Sequence, residues 1–386
     1  MPTFRLKSGE HRFVGSSVTC RPGKLLYIDS TTWCIHGDYA AKGRKIETKT
    51  RVHAQLSGAA PFTLAWVGDL HATDKKEPRL NEIASVMARL NPTLSLLLGD
   101  VVNGSGEYRG SDMSDAWFEN AWDAFKNVPN HMWVKGNHDV DPLHYEFYNW
   151  YERLWTLRIG SYKLIAFDTF NEERVISGTS HTFISMSDVL WLRRRLVEDE
   201  AYKIILSHHL FSQWRIFAYL ALKDAVNLRY VFTGHDHKAY VEETKNAPAL
   251  VNGTASPEAG EHLVSLTTFY KNGEISTVLV KDIEIRNEGD SYKVKVDLKP
   301  LEGRPAALVR ISPELAKPLN IYVEIGEHGT AQLTLKNGEI LSDSNIYIIG
   351  RNLKMEGAEP YDTWHCFCGA EWRTYRLKAG IKGRIL

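Results

Sequence analysis

Short apolar runs alternate with helical stripes through the middle of the chain. Phe62 to Val67 reads as a strand buried on both faces, and Leu80, Ile83, Ala84, Met87 and Leu90 then fall on one side of a helix. Leu94 to Leu98 predicts the next strand, Ala116 to Phe125 a helix, and His131 to Val134 a further strand. Tyr162 to Phe167 is strand-like and precedes a helix that opens with Ser185-Met186-Ser187-Asp188, a capping-box pattern. Lys203 to Leu206 and Tyr230 to Phe232 complete the series. Strand and helix in regular alternation predict an α/β unit in which crossover helices cover a sheet.

The two ends of the chain follow another period. Asn272-Gly273 between Leu266–Tyr270 and Ile275–Val280 predicts a hairpin, so the pairing turns antiparallel there. Beyond Ile283 helical periodicity vanishes, and Tyr292 to Leu298, Ile321 to Ile325 and the Asn337-Gly338 hairpin read as strands. Residues 299–320 carry four prolines and read as a loop-rich connection. Before the central series, Ile46, Thr48, Thr50, Val52, Ala54 and Leu56 alternate with polar residues over one strand-like run. The predicted organisation is a β-rich segment over 1–60, an α/β unit over 61–285 and a C-terminal β-rich domain over 286–386.

A chain of 386 residues exceeds the size at which one core usually stops growing, which agrees with more than one unit. Hydrophobic residues make up 43% and charged residues 24%, and no stretch approaches the roughly 20 apolar residues that cross a bilayer. Lys plus Arg and Asp plus Glu both total 47, so no net positive field favours a nucleic acid partner. The start, MPTFRLKSGEHRF, has no apolar h-region, which predicts no secretory signal and a cytoplasmic protein. Cys20, Cys34, Cys366 and Cys368 are too few for a disulfide framework and are read as free thiols.

Candidate chemistry sits at the strand ends. Gly68-Asp69-Leu70-His71, Gly99-Asp100, Gly136-Asn137-His138-Asp139, Ser207-His208-His209 and Gly234-His235-Asp236-His237 each follow a predicted strand. In open α/β sheets, sites form outside the carboxyl ends of the strands, so these side chains are expected to converge. A lone Asp-x-His is most often a turn or a helix cap. Five such clusters in register with five strand ends are not explained by independent turns. A glycine precedes four of them and allows a sharp exit from the strand. Oxygen and imidazole donors suit Mn, Fe, Zn or Ni, and the absence of thiolates disfavours a purely structural zinc site.

These motifs resemble the calcineurin-like metallophosphoesterase family, whose order is D-x-H, G-D, G-N-H-[D/E], a strand-terminal His and G-H-x-H. The resemblance covers roughly 61–285 and implies a four-layer αββα sandwich with a dinuclear site between two sheets. It implies that Asp69, His71 and His237 bind one divalent transition-metal ion, that Asn137, His208 and His235 bind the other, and that Asp100 bridges them. By the same resemblance His138 is an acid or charge stabiliser oriented by Asp139. Two ions lower the pKa of a bridging water, so a hydroxide can attack phosphorus without a protein nucleophile. His208 is chosen over His209 because it directly follows Ile204-Ile205-Leu206-Ser207.

Departures narrow the substrate. Val101-Val102-Asn103-Gly104 after Asp100, and His71-Ala72, lack the serine/threonine protein phosphatase pattern. Val102 and Asn103 also offer no tyrosine ligand of the purple acid phosphatase kind. The expected activity is a phosphodiesterase acting on nucleotides or other small diesters, with Mn the first choice of metal. A nuclease and a non-enzymatic scaffold are the alternatives. The aromatic run from His144 through Tyr148 and Tyr151 to Trp155 recurs at helical intervals and reads as core before it reads as a base-stacking platform. Arg193-Arg194-Arg195 reads as a solvated helix face.

Overall fold

A computed structural model describes residues 59–73, 77–103, 117, 120–121, 123–129, 131–139, 154–170, 182, 184–210, 213, 217–242, 263–303, 306–313, 319–326, 329–365 and 370–386. It adds backbone alone at 5–7, 10–13, 16–19, 33–36, 40–42, 45–47, 52–56, 215–216 and 249–252. The strand-like run over 46–56 is represented by Lys45–Glu47 and Val52–Leu56, and 48–51 lie outside the described residues.

Two sheets form the core. In the first, β1 (Phe62–Val67), β2 (Leu94–Leu98) and β3 (His131–Val134) pair in parallel, so their carboxyl ends share one edge. In the second, β4 (Leu154–Ile159) pairs antiparallel with β5 (Tyr162–Phe167). From β5 the sheet continues in parallel through β6 (Tyr202–Leu206), β7 (Leu228–Thr233) and β9 (Ala249–Asn252), with β8 (Tyr240–Glu242) antiparallel at its edge. Side chains alternate across this second sheet as strand geometry demands. Tyr162, Leu164, Ala166, Ile204, Leu206 and Phe232 join the core shared with the first sheet. Ile165, Phe167, Ile205 and Val231 face the opposite way, against Val189, Trp191, Leu192 and Leu196.

The outer layers are helices. α1 (Pro78–Leu90) buries Leu80, Ile83, Ala84, Met87 and Leu90 on the first sheet, the stripe its spacing predicts. α2 (Met186–Val197) starts where the Ser185 hydroxyl accepts the Asp188 amide at 3.2 Å, and α3 (Arg215–Leu222) packs beside it. Arg193 and Arg194 are exposed. Between the sheets Trp66 stacks on Phe232 with ring centroids 5.0 Å apart, and its indole donates to the Thr267 hydroxyl at 2.9 Å. The result is the four-layer αββα sandwich.

β10 (Val264–Phe269) pairs antiparallel with β1 and with β11 (Ile275–Glu288), through the hairpin at Asn272-Gly273. β11 is buried on both faces over its first six residues and then becomes half-exposed. It runs unbroken past residue 285 and pairs with β12 (Ser291–Glu302), which carries the first sheet on through Thr330–Lys336, Glu339–Ser342 and Lys382–Ile385. A separate five-stranded sheet contributes Val309, Ile321, Val323 and Ile348 to the same core as Ile283, Val294 and Leu333. The C-terminal strands are therefore a sandwich grown from the edge of the first sheet.

Two expectations are revised and one strand is added. Among the described residues of 299–320 strand predominates over loop, because β12 reaches Glu302 and Ala307–Ile311 is a fully buried strand. Pro300 lies inside β12 beside the register shift at Thr277 and Val278, and Pro313 follows the end of the buried strand. Trp155 lies on β4 rather than on a helix, its indole donating to the Trp133 carbonyl at 3.2 Å. The rest of the aromatic run, 144–151, lies outside the described residues, and β4 itself went unread because 153–159 alternates too weakly. In the predicted helix over 116–125, the described positions Trp117, Asn120, Ala121 and Asp123 to Phe125 are helical.

Candidate metal centre

The strand ends converge through a small set of backbone bonds. Beyond β1 and β2 the parallel pairing persists into the loops, with the Asp69 amide donating to Gly99 O at 3.0 Å and the His71 amide to Asp100 O at 2.8 Å. In the second sheet the Ser207 amide donates to Phe232 O at 3.0 Å and the Gly234 amide to His208 O at 3.0 Å. The two sheets meet where the Asp69 carboxylate accepts the His235 amide at 2.8 Å. Chain turns this tight demand left-handed backbone: φ is +57° at Asp69, +47° at His71, +48° at Asp100, +75° at His235 and +53° at His237. Asp and His tolerate that region better than most L residues, and such strain concentrates at functional sites.

Glycine is required where loops touch side chains. A Cβ on Gly99 would lie 2.3 Å from His208 Nδ1, and one on Gly136 would lie 2.2 Å from Asp100 Oδ1. Both exceed any packing adjustment that leaves those side chains in place.

Three groups of ligand-type atoms result, each with its atoms within 4.8 Å of one another. Asp69, His71 and His237 form one, Asp100, His208 and His235 a second, and His71, Asp100 and His138 a third. His71 Nε2 faces His237 Nε2 at 3.1 Å. Asp100 Oδ2 is 3.1 Å from His208 Nε2 and 3.9 Å from His71 Nε2. His208 Nδ1 sits 3.0 Å from the Leu98 carbonyl, which assigns the proton to Nδ1 and directs Nε2 at Asp100. His209 belongs to none of the three groups; its Nδ1 is 2.7 Å from the Thr169 hydroxyl.

Electrostatics match a site that a cation completes. Burial lifts Asp69 to about 6 and lowers His71 and His235 to about 4. Burial also disfavours a charged His208, yet the Asp100 carboxylate overcomes this and raises it to about 9. Asp69 Oδ2, Asn137 Oδ1 and His138 Nδ1 are buried with no hydrogen-bond partner. Buried carboxylate and amide oxygens without proton donors, next to imidazole nitrogens, form a donor set suited to divalent cations.

Asp139 is held by the backbone. Its two oxygens accept the Val102 amide at 3.0 Å and the Gly136 amide at 2.8 Å, and the buried Nδ1 of His138 has no hydrogen-bond partner. Burial, and then the Asp100 charge, raise it to about 7 against those two bonds.

Sequence reading overlooked the exit of β5. There Thr169 holds His209, and the Phe170 ring lies against His209 with centroids 6.2 Å apart. The buried Lys135 donates to the Phe170 carbonyl at 2.7 Å. The strand-end rule applied to Asp168-Thr169 would have found this loop, whose first residues, Asp168-Thr169-Phe170, include no glycine or histidine. Arg79 of α1 was also unread; it donates to the Leu70 carbonyl at 2.6 Å and so supports the loop between Asp69 and His71.

A calcineurin-like phosphoesterase family model matches residues 62–239. Among solved structures, the chain is similar to a dimetal phosphatase from Danio rerio, at 14% identity and a TM-score of 0.44, over 61% of this chain and 96% of that one. It is also similar to the NAD nucleotidase of Haemophilus influenzae, at 11% identity and a TM-score of 0.38, over 64% of this chain and 60% of that one. A 5'-nucleotidase from Candida albicans aligns at 16% identity and a TM-score of 0.37, over 57% of this chain and 51% of that one. No curated protein matches the chain significantly in sequence. Among the described residues no helix is long and apolar enough to cross a membrane. The calcineurin-like phosphoesterase match is confined to residues 62–239, where all five motifs meet at one edge of the sandwich, and it marks a metal-dependent phosphoester hydrolase.

Proposed function

We propose that the protein hydrolyses phosphodiesters of nucleotides or related small molecules with two divalent transition-metal ions, manganese being the first candidate. Asp69, His71 and His237 would hold one ion, Asn137, His208 and His235 the other, and Asp100 would contact both. The observation that carries this reading is the position of Asp100, whose Oδ2 reaches toward His71 on one side and His208 on the other. When bound, such a pair supplies neutralisation of phosphate charge and a hydrolytic water of lowered pKa.

The chain's own groups account for the rest. Asp100 Oδ1 accepts the His138 amide at 2.7 Å, which fixes the bridging carboxylate by a bond independent of any ion. His138 is half-buried, with its ring 4.8 Å from that of His71. There it can donate a proton to a leaving oxygen or stabilise charge on phosphate. Residues 61–285 are read as the hydrolytic unit, with 1–60 and 286–386 as β-rich additions that brace its sheets.

The test combines metal analysis with a substrate screen. Purified protein should contain close to two ions per chain, lose activity with exhaustive chelation and regain it with Mn²⁺. Cyclic nucleotides, dinucleotides and bis-p-nitrophenyl phosphate should be cleaved faster than phosphomonoesters and single-stranded DNA. Full activity after complete metal removal, or a preference for monoesters, would overturn the proposal.

A further inference from the structure

Asp139 stands outside the three groups of ligand-type atoms but is 1% exposed and has both carboxylate oxygens engaged by backbone amides. One amide belongs to Val102, two residues after Asp100; the other belongs to Gly136, directly before Asn137. A third bond joins the same loops, from the His138 amide to Asp100 Oδ1. The loop after β2 and the loop after β3 are thus tied at two points, and the buried carboxylate that makes one of them also holds its own loop at Gly136, next to Asn137. Charge-assisted bonds from amides to a carboxylate are roughly twice as strong as neutral ones, and burial strengthens them further.

The tie has a specific consequence for geometry. Gly136 already lies so close to Asp100 that no side chain fits between them. Moving Gly136 away from Val102 would carry Asn137 with it and release the Asp100 carboxylate from the His138 amide. The imidazole of His138 does not enter this chain of contacts.

We propose that Asp139 is a positioning residue for metal capture: it clamps the loops that carry Asp100 and Asn137, and it does not act through His138. This rests on the reading of Asp100 and Asn137 as metal ligands. Asn in its place keeps one acceptor oxygen and turns an NH₂ toward the second amide, so one of the two bonds is lost.

A double-mutant cycle separates the two routes. Wild type, Asp139→Asn, His138→Asn and the double variant are titrated with Mn²⁺ against a competing chelator. Their Co²⁺ forms are compared by visible absorption, and the unfolding midpoint of each metal-free protein serves as the folding control. Asp139→Asn should weaken at least one ion by about 10–100-fold, as loss of a group supporting a ligand does. The factor should be the same with or without the His138 imidazole, and the Co²⁺ band should shift. Should Asp139→Asn not fold, hydrogen exchange on the wild type reads the clamp directly, with the Val102 and Gly136 amides expected among the slow ones.

Unchanged metal affinity in Asp139→Asn would overturn the inference, as would an effect that vanishes in the His138→Asn background or rapid exchange of both amides. A wild-type protein that binds no ion would overturn the metal reading and this inference together. Normal wild-type binding with an indifferent Asp139→Asn would overturn only the inference.

Discussion

Replacing Gly99 by Ala should dismantle one side of the metal centre while leaving the fold intact. The added Cβ would lie 2.3 Å from His208 Nδ1, 2.5 Å from Cγ and 2.7 Å from Cβ. Carbon contacts settle near 3.5 Å, so the imidazole must retreat by roughly 1 Å. That displacement breaks the 3.0 Å contact from Nδ1 to the Leu98 carbonyl and swings Nε2 off Asp100. Metal–ligand distances tolerate only about 0.2 Å, and a misplacement of about 1 Å in a site can cost 10²-fold in rate. We therefore expect loss of one ion and at least about 100-fold lower activity.

The same substitution also strains the backbone, because φ is +83° at Gly99, a cost of roughly 1–2 kcal/mol for an L residue. Gly273→Ala supplies the control. Its φ is +86° and its added Cβ would meet the Tyr202 ring at 2.9 Å, but Tyr202 begins β6 at the end remote from His208. That variant should lose comparable stability in urea and keep both ions. Metal content by elemental analysis, diesterase rates and unfolding midpoints of the two variants form the assay. Wild-type metal content in Gly99→Ala, or parallel loss of metal in Gly273→Ala, would refute the reasoning.

Other expectations are as direct. His138→Asn should retain both ions and be far slower on a nucleotide diester than on bis-p-nitrophenyl phosphate, whose leaving group needs little protonation; general acid catalysis contributes about 10²–10⁴-fold. Loss of an ion would instead place His138 among the ligands, as its grouping with His71 and Asp100 permits. His131, buried at the opposite end of β3, is lowered from 6.5 to about 4 by burial. Its folded value lies below its unfolded one, so its neutral form stabilises the fold fully above pH 6.5 and that stability is lost as pH falls toward 4. Relative to His131→Leu, wild type should lose up to about 2.5 kcal/mol between about pH 7.5 and pH 4.5 in urea unfolding. A flat difference across that range would show that His131 is not held neutral by the fold.

Much of the catalytic layer was legible along the chain. β1, β2, β3 and β6 are short, apolar and bounded, because strands covered on both faces need no polar alternation. Each ends in Asp, Asn or His because a site at the carboxyl edge takes its ligands from loops that local sequence spells out. The hairpin at Asn337-Gly338 was equally plain, since φ of +51° and +79° at a two-residue turn suits those two residue types.

What the sequence could not determine depends on partners distant along the chain. β4 alternates weakly because both its faces are covered, with Trp155, Leu157 and Ile159 in the core between the sheets and Leu154 in the opposite cluster; its strand state comes from pairing with Val52–Leu56 and β5. Ala307–Ile311 lies among prolines and is a strand because Asn320–Ile325 pairs with it and a sheet covers its face. One residue of register separates the neighbours His208 and His209, turning Nε2 of the first toward Asp100 and giving the second to Thr169. Asp139 shows the same dependence most clearly. Its place beside His138 in the sequence suggests a pair, but folding brings the Val102 and Gly136 amides to its two oxygens and leaves the buried Nδ1 of His138 without a hydrogen-bond partner.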